Sequence, residues 1–212
     1  RPIAVLKLER PGFPQHGVFG GERFAYTVAA FDIIKDNIAT PNPDYLAGTS
    51  PAGVPQFLGQ GQERATGFDL SLSARLTPAF TVLGTFGHVD ATIRKHETAS
   101  LIGDRLTLTA GQTASGIVRY SFLNGVLKGL RVGAGVSYTG DTLVSAATAT
   151  RLREMHGPVQ LYNTFASYAW RQGRFRQSLA LNANNLFDKF YLNTSNKLGR
   201  GREFSTTYTV SF

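Results

Sequence analysis

Polar and apolar residues alternate with a period of two along most of this chain. In the run 203–212, Phe204, Thr206, Tyr208, Val210 and Phe212 fall on one side, and Ser205, Thr207, Thr209 and Ser211 on the other. The run 57–76 repeats the pattern in its second half, with Phe68, Leu70, Leu72, Ala74 and Leu76 against Asp69, Ser71, Ser73 and Arg75. Side chains of a β-strand point alternately to its two faces, so these runs predict strands with one apolar, aromatic face and one small, polar face. Phe80, Val82, Gly84 and Phe86 form such a face, as do Gly116, Val118, Tyr120 and Phe122 against Ile117, Arg119 and Ser121. Leu130, Val132, Ala134, Val136 and Tyr138 oppose Arg131, Gly133, Gly135 and Ser137. Phe175, Leu179, Leu181 and Ala183 oppose Arg176, Ser178, Ala180, Asn182 and Asn184. The run 159–170 is less regular: Tyr162, Ala166, Tyr168 and Trp170 define its outer face and leave Phe165 on the wrong side.

With a short run at 3–9 and a long one at 22–38, nine strands are predicted, and no stretch keeps a capped helical period. The connections sort into two kinds. Those at 77–79, 124–129 and 171–174 are short, whereas those at 39–56, 95–112, 139–158 and 187–200 are long, and the two kinds alternate. In an up-and-down antiparallel barrel, alternate connections share a rim, and short turns on one side with long loops on the other mark a barrel in an outer membrane. Tyr138, Trp170 and Tyr208 are then interfacial aromatics. An odd strand number does not close in the usual bacterial way, so either the first run is no strand and eight strands close alone, or these strands belong to a larger barrel. The inner sets are mostly Ser, Thr, Gly, Asn and Ala. They suit the wall of a wide lumen better than the packed interior of a small barrel.

Composition narrows this picture. No apolar run reaches the roughly 18–20 residues of a membrane-spanning helix, and the near-neutral mean hydropathy of −0.11 is that of a chain whose lumen-facing half is polar. The 212 residues contain no cysteine, which excludes disulfides and thiol chemistry. With 22 Lys and Arg against 14 Asp and Glu the net charge is +8, so anionic partners are favoured. The positive charges are scattered among loops and strand ends, so nucleic acid is not the expected partner. Position 1 is Arg1 and no leader pattern follows, which leads to the expectation that amino-terminal sequence is missing.

Motifs for catalysis or metal binding are weak. His16, His88, His96 and His156 are far apart, with no i, i+4 pair. Gly-x-Gly at Gly133 and Gly199 lacks a third glycine and a following helix. Asn193 heads a formal glycosylation sequon without meaning in a bacterial chain.

Four segments resemble one family. The run from Asn184 and Asn185 through Leu186, Phe187, Asp188 and Lys189 to Tyr191, followed by a terminal strand ending in Phe212, is similar to the carboxy-terminal signature of TonB-dependent outer-membrane receptors. The segment 31–38 resembles the strand before a long loop in the ferric-siderophore members. Segments 67–78 and 130–140 resemble later strands. The resemblance implies an all-β fold: an antiparallel transmembrane β-barrel, of which residues 1–212 are the carboxy-terminal strands of a larger, 22-strand type barrel in the bacterial outer membrane. It implies a ferric siderophore as ligand, iron held by the siderophore's own oxygens, no catalytic residue, and no cofactor or metal bound directly. TonB would act through a plug segment that these residues do not contain.

Within that frame the ligand-facing candidates are Tyr45, Phe57, His96, Arg151, Arg153, His156, Tyr191, Lys197 and Arg200, all in or beside long loops. Solvated loop positions or lipopolysaccharide contacts are the plainer reading of each. Asp69, Arg75, Arg131 and Arg176 are expected to face the lumen, as ion pairs with the plug or along a transport path. Tyr208, Val210 and Phe212 form the expected signal for the barrel-assembly machinery, as well as lipid-facing surface. Two alternatives stand beside transport: an outer-membrane hydrolase on a self-contained eight-strand barrel, for which no nucleophile elbow or paired His/Asp spacing is present, and a structural or adhesive barrel.

Overall fold

The computed structural model describes residues 23–42, 44–45, 53–147 and 152–212, together with the backbone of 2–10. Eleven strands follow in order: β1 (Pro2–Arg10), β2 (Phe24–Pro41), β3 (Phe57–Arg75), β4 (Phe80–Lys95), β5 (Gln112–Ser121), β6 (Leu130–Thr139), β7 (Thr142–Ser145), β8 (Glu154–His156), β9 (Val159–Gln172), β10 (Phe175–Asn184) and β11 (Glu203–Ser211). Nine of them form one antiparallel sheet in the order β1-β2-β3-β4-β5-β6-β9-β10-β11, and β7 pairs with β8 in a separate hairpin. The first run is thus a strand, paired to β2 from Pro2↔Ile33 to Arg10↔Tyr26. Among the described residues β1 and β11 do not pair with each other, so the sheet stays open and the eight-strand closed barrel is not formed.

Short turns come from local chemistry. Between β9 and β10 only Gly173 and Arg174 connect the pair Gln172↔Phe175, and Gly173 has φ 61°, the left-handed conformation a two-residue hairpin requires. Between β3 and β4 the Thr77 hydroxyl accepts from the Ala79 and Phe80 amides at 3.2 and 3.0 Å. Gly129 closes the β5–β6 turn at φ 97°, where a β-carbon would overlap the Ala169 carbonyl.

Directly paired residues share a face, so the register assigns every side chain. One face joins Tyr26, Leu72 and Gly84, then Tyr120 and Val132, then Tyr168, Leu179 and Tyr208. The other joins Thr27, Ser71, Thr85, Ser115 and Ser137, with a 2.7 Å hydroxyl contact between Thr85 and Ser115. Little lies between layers: among the described residues only Ala74, Ala91, Leu143 and Ala183 are buried apolar side chains. The apolar face is exposed over its whole width, with Phe24 at 56 %, Leu72 at 43 % and Phe204 at 71 %. A patch this large is not stable against water, whereas lipid covers it at no cost in unpaired polar groups.

Aromatic rings border this face at both ends. Near the short turns Tyr120 and Phe122 meet edge-on at 5.0 Å, Tyr168 stacks on Trp170 at 5.7 Å, and Trp170 lies 6.2 Å from Tyr208. The Tyr208 hydroxyl donates to Gln177 Oε1 at 2.6 Å, and Gln177 donates to Gln172 at 2.9 Å, a polar rim beside the rings. Near the long loops Phe68 contacts Phe86 and His88, each at 5.8 Å, and Tyr162 contacts Phe187 at 5.2 Å. From Trp170 to Tyr162 the strand rises roughly 27 Å, which after tilt fits the apolar band of an outer-membrane barrel. Strands β2 and β3, of 18 and 19 residues, run past this band. There the outward positions turn charged, and Arg64 grips Asp32 with two hydrogen bonds of 2.9 and 2.6 Å.

Hairpin β7–β8 corrects the reading of 139–158 as loop throughout. A four-residue run leaves too little alternation to read as a strand. Its Leu143 is fully buried, and the Leu143 carbonyl accepts from the Leu108 amide of the β4–β5 connection at 2.7 Å.

Candidate functional site

At the long-loop end of the polar face, β6 and β9 present Ser137, Thr139, Val159, Leu161 and Asn163 side by side, in the pairs Ser137↔Leu161 and Thr139↔Val159. Two loop structures stand over them. One is the segment after β10, whose shape rests on a single amide. Asn185 is 4 % exposed and adopts φ 48°. Its amide N–H donates to Asn163 Oδ1 at 3.0 Å, its Nδ2 donates to the carbonyls of Lys189 at 2.9 Å and Arg200 at 3.1 Å, and its Oδ1 accepts from the Lys189 amide at 2.8 Å. One side chain therefore ties the two ends of the loop together and hangs them on β9. Asp188 adds a bond from the Arg202 amide at 2.7 Å, and Asn193 accepts from the Ser195 and Lys197 amides, both at 3.0 Å. The Tyr191 ring lies on Gly199, where any β-carbon would overlap it.

The second structure joins the β4–β5 connection to hairpin β7–β8. The Leu108 amide donates to the Leu143 carbonyl at 2.7 Å, and Ala110 bridges Thr142. Two ion pairs of 2.6 Å cross the same junction, Arg105 with Asp141 and Arg153 with Asp104. Two long loops thus make one body.

Between these structures lies a cleft of about 180 Å³ lined by Ser137, Thr139, Thr142, His156, Leu161 and Tyr191. It adjoins a wider one of about 510 Å³ containing Asn163, Tyr191, Lys197, Arg200 and Glu203. His156, 13 % exposed, has both ring nitrogens buried without a hydrogen-bond partner among the described residues, and the Glu154 carboxylate lies 3.9 Å from Nε2. A buried imidazole with open donor and acceptor positions is suited to an oxygen-rich ligand. Among the described residues no three His, Asp or Glu side chains converge as a metal cage.

Of the nine loop candidates, the structure brings together His156, Tyr191, Lys197 and Arg200 around these two clefts. Arg153 is held by Asp104 instead, and Arg200 reaches Glu203 at 3.5 Å. His96 accepts the Thr98 amide at 3.0 Å at the end of β4, Phe57 opens β3, and Tyr45 donates its amide to Asn42; none of the three lines either cleft. Arg151 lies outside the described residues. Asp69, Arg75, Arg131 and Arg176 stand on the polar face by register, opposite Gly87, Thr81, Ser167 and Arg171. Tyr208 and Val210 stand on the apolar face of β11, and Phe212, next in the same alternation, is fully exposed. Sequence reasoning gave no part in the site to Asn163, Asn185 and Asn193, or to Asp104, Arg105 and Asp141. The Asn184–Lys189 run was a visible signal, but its role depends on partners 15 and 22 residues away.

Comparison with known proteins agrees with this architecture. Residues 15–186 match the family model described as TonB dependent receptor-like, beta-barrel. The metal-pseudopaline receptor CntO of Pseudomonas aeruginosa is 30 % identical over 173 residues, which are 82 % of this chain and 22 % of that protein. The ferrichrome outer membrane transporter/phage receptor of Escherichia coli is 29 % identical over 62 % of this chain and 17 % of its own length. The chain thus spans about a fifth of these relatives. Among solved structures, the ferric preacinetobactin receptor BauA from Acinetobacter baumannii superposes on 89 % of this chain and 27 % of its own, with TM-score 0.70 at 20 % identity. The ferripyoverdine receptor of Pseudomonas aeruginosa does so over 87 % and 25 %, with TM-score 0.65 at 22 % identity. An open sheet with an apolar outer face, short turns on one rim and long, structured loops on the other is part of an outer-membrane barrel wall, and the chain belongs to the TonB-dependent receptor β-barrel family.

Proposed function

We propose that this wall is part of a TonB-dependent receptor that takes up a ferric siderophore, with the clefts around His156, Tyr191, Lys197 and Arg200 as part of its ligand mouth. All of 1–212 is assigned to the barrel domain, and the plug that contacts TonB is not among these residues. The supporting observation is the grouping itself: an aromatic ring, an unpartnered imidazole and two cations meet on the lumen side of the long-loop rim. Lys197 and Arg200 attract an anionic chelate by charge, and the ring of Tyr191 gives it an apolar wall. Iron enters as cargo, held by the siderophore's oxygens, and no bond is made or broken in the protein. Assembly into the membrane is assigned to the barrel-assembly machinery, with Tyr208, Val210 and Phe212 as its contacts.

A second reading, a metal chelate of the pseudopaline kind, is favoured by the 30 % identical relative. One experiment addresses both. A strain lacking the full-length receptor is grown under metal limitation on a panel of siderophores and metallophores. Selective loss of growth on one ferric siderophore supports the first reading, and selective loss of uptake of another metal's chelate the second. Unaltered uptake of all of them contradicts both.

A further inference from the structure

The β5–β6 turn holds the chain's one Asn-Gly pair, Asn124 and Gly125. Both are exposed, as are their neighbours from Leu123 to Lys128, with Val126 at 97 %. The base of the turn is tied: the Phe122 amide donates to the Leu130 carbonyl at 2.8 Å, and the Gly129 amide donates to the Phe122 carbonyl at 3.1 Å. The tip is not. Neither the Gly125 amide nor the Asn124 side chain makes a hydrogen bond among the described residues. Gly125 adopts φ 74°, and nothing stands within 4 Å of the place a β-carbon would take.

The chain has eight other asparagines, and each is followed by a residue whose side chain crowds its backbone nitrogen. Of these, Asn42, Asn163, Asn182, Asn185 and Asn193 are also held by side-chain hydrogen bonds. A side-chain amide is open to attack by the next backbone nitrogen when that nitrogen is uncrowded and both groups are free to move, a condition an exposed Asn-Gly turn meets.

We propose that Asn124 is a site of spontaneous deamidation in the folded protein. The Gly125 nitrogen bonds to Asn124 Cγ and gives up its proton, the Cγ–Nδ2 bond breaks, and ammonia leaves with that proton, closing a succinimide ring. Water then opens the ring at either carbonyl, to aspartate or to isoaspartate. The net change is water in and ammonia out, with no oxidant or cofactor.

The product places a charge where none of its sign exists. From Arg105 to Gly140 the chain contains no Asp or Glu, and Lys128, Arg119 and Arg131 line a cleft of about 420 Å³ beside the turn. A carboxylate at 124 is stabilised by these cations and makes the short-turn rim less basic. Isoaspartate also lengthens the backbone by one carbon. The bonds at the base confine that change to the tip, so the pairing of β5 with β6 persists. The proposal is independent of which chelate is carried, and of whether any is.

The test holds the full-length protein, folded in detergent, in heavy-oxygen water at neutral and at mildly alkaline pH, and follows the tryptic peptide 120–128 by mass spectrometry, with a sample digested at time zero as background. Asn124 is expected to convert to the acid with uptake of one heavy oxygen, as two isomers that separate on chromatography, of which an isoaspartyl methyltransferase labels one. Conversion should be faster at the higher pH, because the deprotonated amide nitrogen is the attacking species. The other eight asparagines should keep their amides over the same time, and Asn124→Gln, which would have to close a larger ring, should lose the signal. Asn124 that stays an amide in the folded protein would overturn the proposal, whether or not a free peptide of the same sequence converts. Conversion seen only after unfolding, or equal conversion at Asn185 or Asn193, would overturn it too, since the fold would then have no part in exposing this site.

Discussion

Gly133 and Phe165 face each other across the β6–β9 ladder, and the phenylalanine ring fills the space in which a β-carbon at 133 would stand. The same arrangement recurs across β2 and β3, where the ring of Phe31 lies over Gly67. Both rings point to the polar face. Each covers a glycine whose bare backbone leaves room for it, which accounts for an aromatic residue on a wall otherwise lined by Ser, Thr and Gly.

Replacing Gly133 with Val is expected to displace the Phe165 ring and cost roughly 1–3 kcal/mol through overpacking. A Gly133→Val, Phe165→Ala double variant should recover only part of this, because the new β-carbon would also stand 2.6 Å from the Val118 carbonyl oxygen. The temperature at which the folded barrel loses its fast electrophoretic mobility reads both effects. Full recovery in the double variant would place the whole cost on the ring.

These two pairs also mark where sequence periodicity is hardest to read. Strands β3, β5, β6, β10 and β11 show their faces at once, because lipid demands apolar residues at every second position. In β2 and β9 Phe31 and Phe165 break the alternation, and only the glycine on the neighbouring strand explains them. Hairpin β7–β8 was illegible for another reason: its first strand has four residues, and its Leu143 is bonded through the backbone to Leu108 of a distant loop, a contact no local pattern announces. The site was legible by residue type alone. Of the loop residues nominated, His156, Tyr191, Lys197 and Arg200 share a pair of clefts, and that grouping depends on loop shapes set by Asn185 and by the ion pairs of Asp104 and Asp141.

Asn185→Ala removes three side-chain hydrogen bonds from a buried position and leaves the carbonyls of Lys189 and Arg200 without that donor. A cost of roughly 1–3 kcal/mol is expected, confined to the loop. Hydrogen exchange should rise across 186–202 while β10 and β11 keep their protection. Asn185→Asp retains the bond from Lys189 N–H and loses both donors, so it should fall between wild type and alanine.

The two ion pairs between the loops lie at the surface, with Asp104 the least exposed partner at 17 %. A double-mutant cycle on Arg153→Ala and Asp104→Ala is expected to give a coupling of about 0.2–1 kcal/mol that shrinks as salt rises. Protection of the amides at Leu108 and Leu143 is the readout, since Leu108 bonds the Leu143 carbonyl across the junction. Strictly additive effects would separate the ion pair from the joining of the loops.

Leu72 and Ser71 are adjacent in β3 and point to opposite faces. Leu72→Arg on the apolar face is expected to cost roughly 2–4 kcal/mol in a bilayer, whereas Ser71→Arg should change stability by no more than about 0.5 kcal/mol. Unfolding free energies in lipid vesicles decide this. Equal costs, or a reversed order, would exchange the lipid and lumen faces.

The most direct measurement is the affinity of the purified full-length receptor for ferric siderophores and other metal chelates, in wild type and in the Tyr191→Ala, Lys197→Ala and Arg200→Ala variants. At least one chelate is expected to bind. Tyr191→Ala should weaken it by about tenfold or more, and the two charge removals should weaken it most at low salt. Wild-type affinity in all three variants, for every chelate that binds, would contradict the assignment of the clefts around His156 as the ligand mouth.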